Sequence, residues 1–179
     1  TEMQYRMMIQ DLDHSALVAL WEQVMAGETP DWPAGKAFEY VVLRAFEVEG
    51  ATVQYPYTVH LQQELVEQVD GVIHTGALSV LAESKDYHGP INVEPLAKLR
   101  NQLMRRPAAA IGVVFSRNGF TDPARTLAQH MAPQTILLWD GAEVDIALRA
   151  AKMTEGLVMK YRWSVEYGLP DFNLLDAGF

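Results

Sequence analysis

Two short stretches hold the residues best suited to chemistry. Val69-Asp70-Gly71 lies inside one apolar, strand-like run, and Glu83-Ser84-Lys85 closes another. An acid precedes a Lys by two residues nowhere else in the chain. Side chains alternate along a strand, so Glu83 and Lys85 share a face with Ser84 opposite. If the two runs pair, Asp70 joins them. Two carboxylates side by side resist joint ionisation unless a cation lies between them. Mg²⁺, which takes hard oxygen ligands, supplies that cation and can lower the pKa of a bound water beside a phosphodiester. Lys85 would then orient the attacking water or stabilise the charged phosphate.

A third acid points to the same place. On a helix spanning 36–48, Lys36, Tyr40, Arg44 and Glu47 share a polar arc, whereas Glu39 falls between Leu43 and Phe46 in the apolar one. A carboxylate buried there must be neutral or paired, because burying it alone costs several kcal/mol. A metal site beneath the helix or an escape to solvent would each resolve the conflict.

These residues need a scaffold. Leu17, Leu20, Trp21 and Val24 predict a helix from about Ser15 to Ala26, stopped by Gly27. A second helix runs from about Ala34 to Glu49. Ala51–His60, Leu65–His74 and Ala77–Lys85 read as three strands, the last two joined by a turn at Thr75-Gly76, with Pro56 marking an edge or bulge. A helix over Val93–Arg106 follows, then a buried strand at Ala108–Ser116, a helix capped by Thr121, a strand at Thr135–Trp139 and a C-terminal helical region. An antiparallel meander feeding crossover helices predicts an α/β sandwich with a mixed sheet.

The chain of 179 residues is long enough for one domain with a substantial core. No apolar run reaches membrane-spanning length, and Thr1-Glu2-Met3-Gln4-Tyr5-Arg6 is not a basic segment with an apolar run behind it, so a cytoplasmic protein is expected. With no Cys there is neither a disulfide framework nor a thiolate metal site. The net charge of −9 hides an asymmetry. Residues 1–84 carry 3 basic and 13 acidic side chains, and residues 85–125 carry 7 basic and 3 acidic. The basic segment begins at Lys85, and phosphate attraction is local, so a single basic face can serve an acidic protein. Lys98, Arg100, Arg105, Arg106 and Arg117 are the expected nucleic-acid contacts. A solvated basic face is the alternative. Arg100 shares the arc of the core stripe Leu96, Leu99 and Leu103, which implies a buried partner or a turn towards the site.

Gly35-Lys36-Ala37-Phe38-Glu39, Asp70-Gly71, Glu83-Ser84-Lys85 and Gln102 together resemble the restriction-endonuclease-like, PD-(D/E)xK nuclease superfamily. The resemblance is closest to type IV Mrr-like restriction endonuclease domains. Ala110–Phe115, Gly119-Phe120-Thr121 and Ile136–Gly141 are similar to that group's later strands and helix. It implies an αβββαβ core in a three-layer sandwich and Mg²⁺-dependent hydrolysis of DNA, with Mn²⁺ as a substitute. Asp70, Glu83, Lys85, Glu39 and Gln102 would be catalytic, with Asp70, Glu83, Ser84 and Glu39 supplying metal ligands. Val69 stands where the pattern has Pro, Glu83 where Mrr-like domains often have Gln, and Arg106 rather than an aromatic follows Gln102 by four. The nuclease core would span 34–150 of a single domain, between a helical extension at 1–33 and an aromatic-rich one at 151–179. A homodimer would suit cleavage of both strands. A catalytically inactive nucleic-acid-binding or assembly module of the same fold is the alternative function, and an unrelated enzyme with solvated acids is a third.

Overall fold

A computed structural model describes residues 1–179. Three helices come first: α1 (Glu2–Ile9), α2 (His14–Ala26) and α3 (Lys36–Val48). Asp13 caps α2 by accepting the Ala16 N–H, and Gly27 ends it in the left-handed conformation at φ 72°. The strands β1 (Thr52–Gln54), β2 (Tyr57–Leu61), β3 (Glu64–Val69), β4 (Gly71–Thr75) and β5 (Leu78–Lys85) follow. Then α4 (Glu94–Leu103), β6 (Ile111–Ser116), α5 (Asp122–Gln129) and β7 (Ile136–Asp140) alternate, before α6 (Gly141–Arg149), α7 (Met153–Tyr167) and a 3-10 turn at Leu174–Ala177.

The main sheet has the order β1-β4-β5-β6-β7. Its first three strands are antiparallel, and β5, β6 and β7 are parallel, connected through α4 and α5. Alternation along the strands builds two cores. Ile73, Val80, Ala82, Val113, Phe115 and Trp139 face α2, α3, α6 and α7. Val72, Leu81, Val114 and Leu138 face α4 and α5. The result is a three-layer α/β sandwich with a mixed central sheet, as the sequence predicts.

Two predicted strands are each divided. The run 51–60 breaks at Tyr55-Pro56, where Pro lacks the N–H a ladder needs, giving β1 and β2. The run 65–74 breaks at Asp70 itself, giving β3 and β4. Strands β2 and β3 form a separate ribbon, pairing Tyr57 with Val69. A segment of apolar alternation carries no mark of which partner each half will pair with, so one long strand and two short ones read alike. The helix predicted over 93–106 ends at Leu103, with single turns carrying the chain to Arg106. Helix α1 was not foreseen. It is short, and only Tyr5 and Ile9 pack inward while Met3 and Met7 lie exposed, so its apolar stripe is weak; a capping box between Thr1 and Gln4 closes its start.

Candidate active site

The register of the sheet assembles the site. Strand β4 begins opposite the carboxyl end of β5, pairing Gly71 with Ala82, so Asp70 is next in line with Glu83. The Ser84 N–H donates to Asp70 Oδ2 at 3.0 Å, fixing that carboxylate where the antiparallel pairing stops. Alternation sends Glu83 to the same side as Leu81, the side covered by α4. Glu83 is fully buried and held by two ammonium groups. Lys85 Nζ lies 2.5 Å from its Oε1, and Lys98 Nζ, from α4, lies 2.8 Å from its Oε2. Lys85 Nζ is also 3.9 Å from Asp70 Oδ2, so one cationic group stands between the two acids. Burial opposes the Lys85 charge, but Glu83 and then Asp70 outweigh it and raise its pKa.

Glu39 reaches this end of the sheet from the opposite layer. It is 8% exposed, and its carboxylate accepts hydrogen bonds from Lys36 at 3.1 and 3.3 Å. Burial, then the nearby Asp70 charge, push its pKa up to about 7 against the pull of Lys36. Asp70, Glu83 and Lys85 therefore meet directly, while Glu39 stands within electrostatic reach but is engaged by Lys36. No three acidic or imidazole side chains form one cluster. The donor set nevertheless suits a hard cation: carboxylate oxygens without a soft ligand, with Glu39 raised first by burial and then by the Asp70 charge.

Gln102 is buried on α4, and its Nε2 donates to the Gln68 carbonyl at 2.9 Å, tying α4 to the strand that leads into Asp70. The basic segment is less free than its composition implies. Lys98 is taken by Glu83, Arg105 and Arg106 both face Glu67, and Arg117 pairs with Asp86. Arg100 is exposed, which corrects the expectation of a buried partner: its side chain leaves the arc of Leu99 for solvent.

Sequence reasoning passed over Lys36 and Glu67. The i,i+3 spacing of Lys36 and Glu39 is a signal for the first. Glu67 precedes buried Val69 by two residues on a strand, which places an acid on the inward face and calls for a cationic partner.

A family model described as restriction endonuclease, Mrr_cat, matches residues 33–147. No curated protein matches the chain. Among solved structures, the small subunit of the heterodimeric restriction endonuclease R.BspD6I superposes with a TM-score of 0.53 at 13% identity, covering 83% of this chain and 89% of that one. MspJI restriction endonuclease, in complex with a 27-mer oligonucleotide, gives 0.46 at 20% identity over 79% of this chain and 32% of its own. The DNA modification-dependent restriction endonuclease AspBHI gives 0.45 at 13% identity over 82% and 38%. The chain thus spans about a third of the last two proteins. At such identities the likeness to R.BspD6I is one of fold.

Proposed function

Because the chain belongs to the restriction endonuclease family matched by its residues 33–147, we propose that it is a divalent-metal-dependent endonuclease hydrolysing DNA phosphodiester bonds. The observation that carries this reading is Lys85 Nζ standing 2.5 Å from Glu83 and 3.9 Å from Asp70 where β4 begins and β5 ends. Carboxyl ends of parallel strands are where open α/β sheets bind ligands. Asp70, Glu83 and the Ser84 carbonyl, with Glu39 behind them, would hold Mg²⁺ or Mn²⁺, which supplies Lewis-acid polarisation of the phosphodiester and a bound water of lowered pKa.

The chain's own residues do the rest. The Ser84 N–H aims Asp70. Glu83 holds Lys85 protonated beside the reacting phosphate, where its charge stabilises the developing negative charge. Gln102 fixes the β3 backbone through Gln68, so Asp70 enters the site from an anchored strand. Lys98, Arg100, Arg105, Arg106 and Arg117 would track the DNA backbone, a contact that positions without reading sequence. The core at 34–150, flanked by 1–33 and 151–179, and a homodimer that presents two sites to a duplex belong to the same proposal.

Incubation of supercoiled plasmid with the pure protein tests it. Cleavage is expected with Mg²⁺ or Mn²⁺ and not with EDTA. Lys85→Ala should leave Mn²⁺ binding intact and slow cleavage by about 100-fold or more, the scale of losing one stabilising donor. Asp70→Ala should remove Mn²⁺ binding and cleavage together. Full cleavage in EDTA, or full activity of Lys85→Ala, would refute the mechanism. DNA binding without cleavage under any metal would favour the inactive-module reading.

A further inference from the structure

We infer that Arg105 and Arg106 form a phosphate-binding site for the substrate strand, and that Glu67 fills it in the free protein as an internal stand-in for the phosphodiester. The inference rests on the nuclease reading above and adds a residue and a constraint to it. Glu67 Oε2 lies 2.8 Å from Arg105, and its Oε1 faces the Arg106 guanidinium. The Glu67 side chain is only 10% exposed. Its buried Oε1 is in close ion-pair contact with Arg106, but the guanidinium is not aligned on it as a hydrogen-bond donor. Two guanidiniums on consecutive residues offer a broader set of donors than one planar carboxylate can match. A phosphate, with oxygens on a tetrahedral centre, suits such a pair better.

Position ties this pair to the site. Arg105 follows Lys98 by seven residues, on the turn that continues α4 beyond its end at Leu103. Lys98 contacts Glu83, so a strand whose phosphate lies at the acids would pass neighbouring phosphates towards Arg105. A cleft of about 350 Å³ joins the two places, lined by Glu67, Gln68, Lys98, Asn101, Gln102 and Arg105. Its floor is polar, with only Val66 apolar among the residues that line it. Glu67 sits on β3, two residues before Val69 and three before Asp70, so the ribbon that carries the stand-in runs directly into the site. Its wall is fixed where Gln102 holds the Gln68 carbonyl. An incoming phosphate must displace Glu67 from the arginines, and the carboxylate then becomes a competitor for the substrate.

The two roles open to Glu67 have opposite signs. As a competitor, it weakens binding of DNA; as a clamp that merely orients the arginines, it strengthens it. The test is anisotropy of a short labelled duplex in EDTA, which separates binding from cleavage, across about 50 to 200 mM salt. Glu67→Gln keeps the shape and removes the charge. It should bind about fivefold tighter, the factor that corresponds to about 1 kcal/mol. The slope of log affinity against log salt should steepen by up to about 0.9, the share of one phosphate contact. Arg105→Ala added to Glu67→Gln should abolish most of that gain. Glu67→Ala, with urea unfolding alongside, guards against a variant that fails to fold.

If wild type binds and cuts DNA but Glu67→Gln and Glu67→Ala bind no better or worse, the stand-in is wrong and the nuclease reading survives. If neither wild type nor the Glu67 variants bind any duplex, both readings fall.

Discussion

Gly71→Ala isolates the coupling between core packing and the site. A Cβ built at Gly71 would lie 2.7 and 2.9 Å from the two methyls of Leu43 and 3.3 Å from the Gln54 carbonyl oxygen. Distances under 3.0 Å force something to move. Leu43 is 1% exposed on α3, hemmed by the core, so its methyls have little room to retreat. The alternative is for β4 to shift away from α3, which takes Asp70 with it, since Asp70 is the preceding residue. Overpacking of this kind costs about 1–3 kcal/mol. For a chain of this length each kcal/mol lowers Tm by about 2–4 °C. Gly89→Ala is the control: nothing lies within 4 Å of its added Cβ, and a change within about 0.5 kcal/mol is expected. Calorimetric Tm and Mn²⁺ titration of the two variants give the comparison. Gly71→Ala should be less stable and bind Mn²⁺ more weakly, by a shifted Asp70, than Gly89→Ala. Equal stability and equal Mn²⁺ affinity in the two variants would refute the argument that α3 packing sets the position of Asp70.

Glu39 gives a prediction about pH in the metal-free protein. Its folded pKa of about 7 lies above the ordinary carboxyl value of 4.5, so the native state binds its proton more tightly than the unfolded chain does. The stabilisation is full below about 4.5 and is lost as pH rises through about 7, a swing of about 3 kcal/mol. Urea unfolding in EDTA should show wild type losing more stability over that window than Glu39→Gln, and parallel curves would remove the inference. Lys160 concerns stability away from the site. It is fully buried against Glu143 and the Phe172 carbonyl, and burial lowers its pKa while raising that of Glu143. Lys160→Met should cost about 3–5 kcal/mol by leaving Glu143 unpaired, and adding Glu143→Gln should recover part of it; a single variant as stable as wild type would contradict this.

The candidate site was legible in part because alternation is local: Glu83 and Lys85 share a face whatever their neighbours do. Glu39 was legible for a related reason, since an acid in an apolar arc shows on a helical projection. What stayed hidden is where pairing changes partner. The break at Asp70 separates a ribbon from a sheet; Asp70-Gly71 marks an interruption, but nothing in Leu65–Thr75 says which partner each half pairs with. Helix α1 was hidden because only Tyr5 and Ile9 of its apolar residues meet the core while Met3 and Met7 stay exposed, and the start of α3 at Lys36 rather than Ala34 follows from Gly35 at φ 79°.

Charge was the least legible property, because sequence counts charges but does not pair them. The basic segment 85–125 reads as seven cations against three acids. In the fold, Lys85 and Lys98 meet Glu83, Arg105 and Arg106 meet Glu67, Arg117 meets Asp86, and Arg125 lies 4.0 Å from Asp171. Glu83, Glu67 and Asp171 come from outside the segment. A composition that promises an open basic face therefore folds into one matched, except at exposed Arg100, by the protein's own anions. Such a face attracts a polyanion only by exchange, with each phosphate replacing a carboxylate. Affinity then depends on how poorly each internal acid fits its cation. Asp171 holds Arg125 loosely and far from the site; among the acids beside the site, Glu67 has one oxygen lacking an aligned donor, whereas Glu83 is buried between two ammoniums. Exchange should accordingly begin at Arg105 and Arg106 and leave the Glu83–Lys85 pair intact, which is the order a nuclease needs if its catalytic ammonium is to stay in place while the strand arrives.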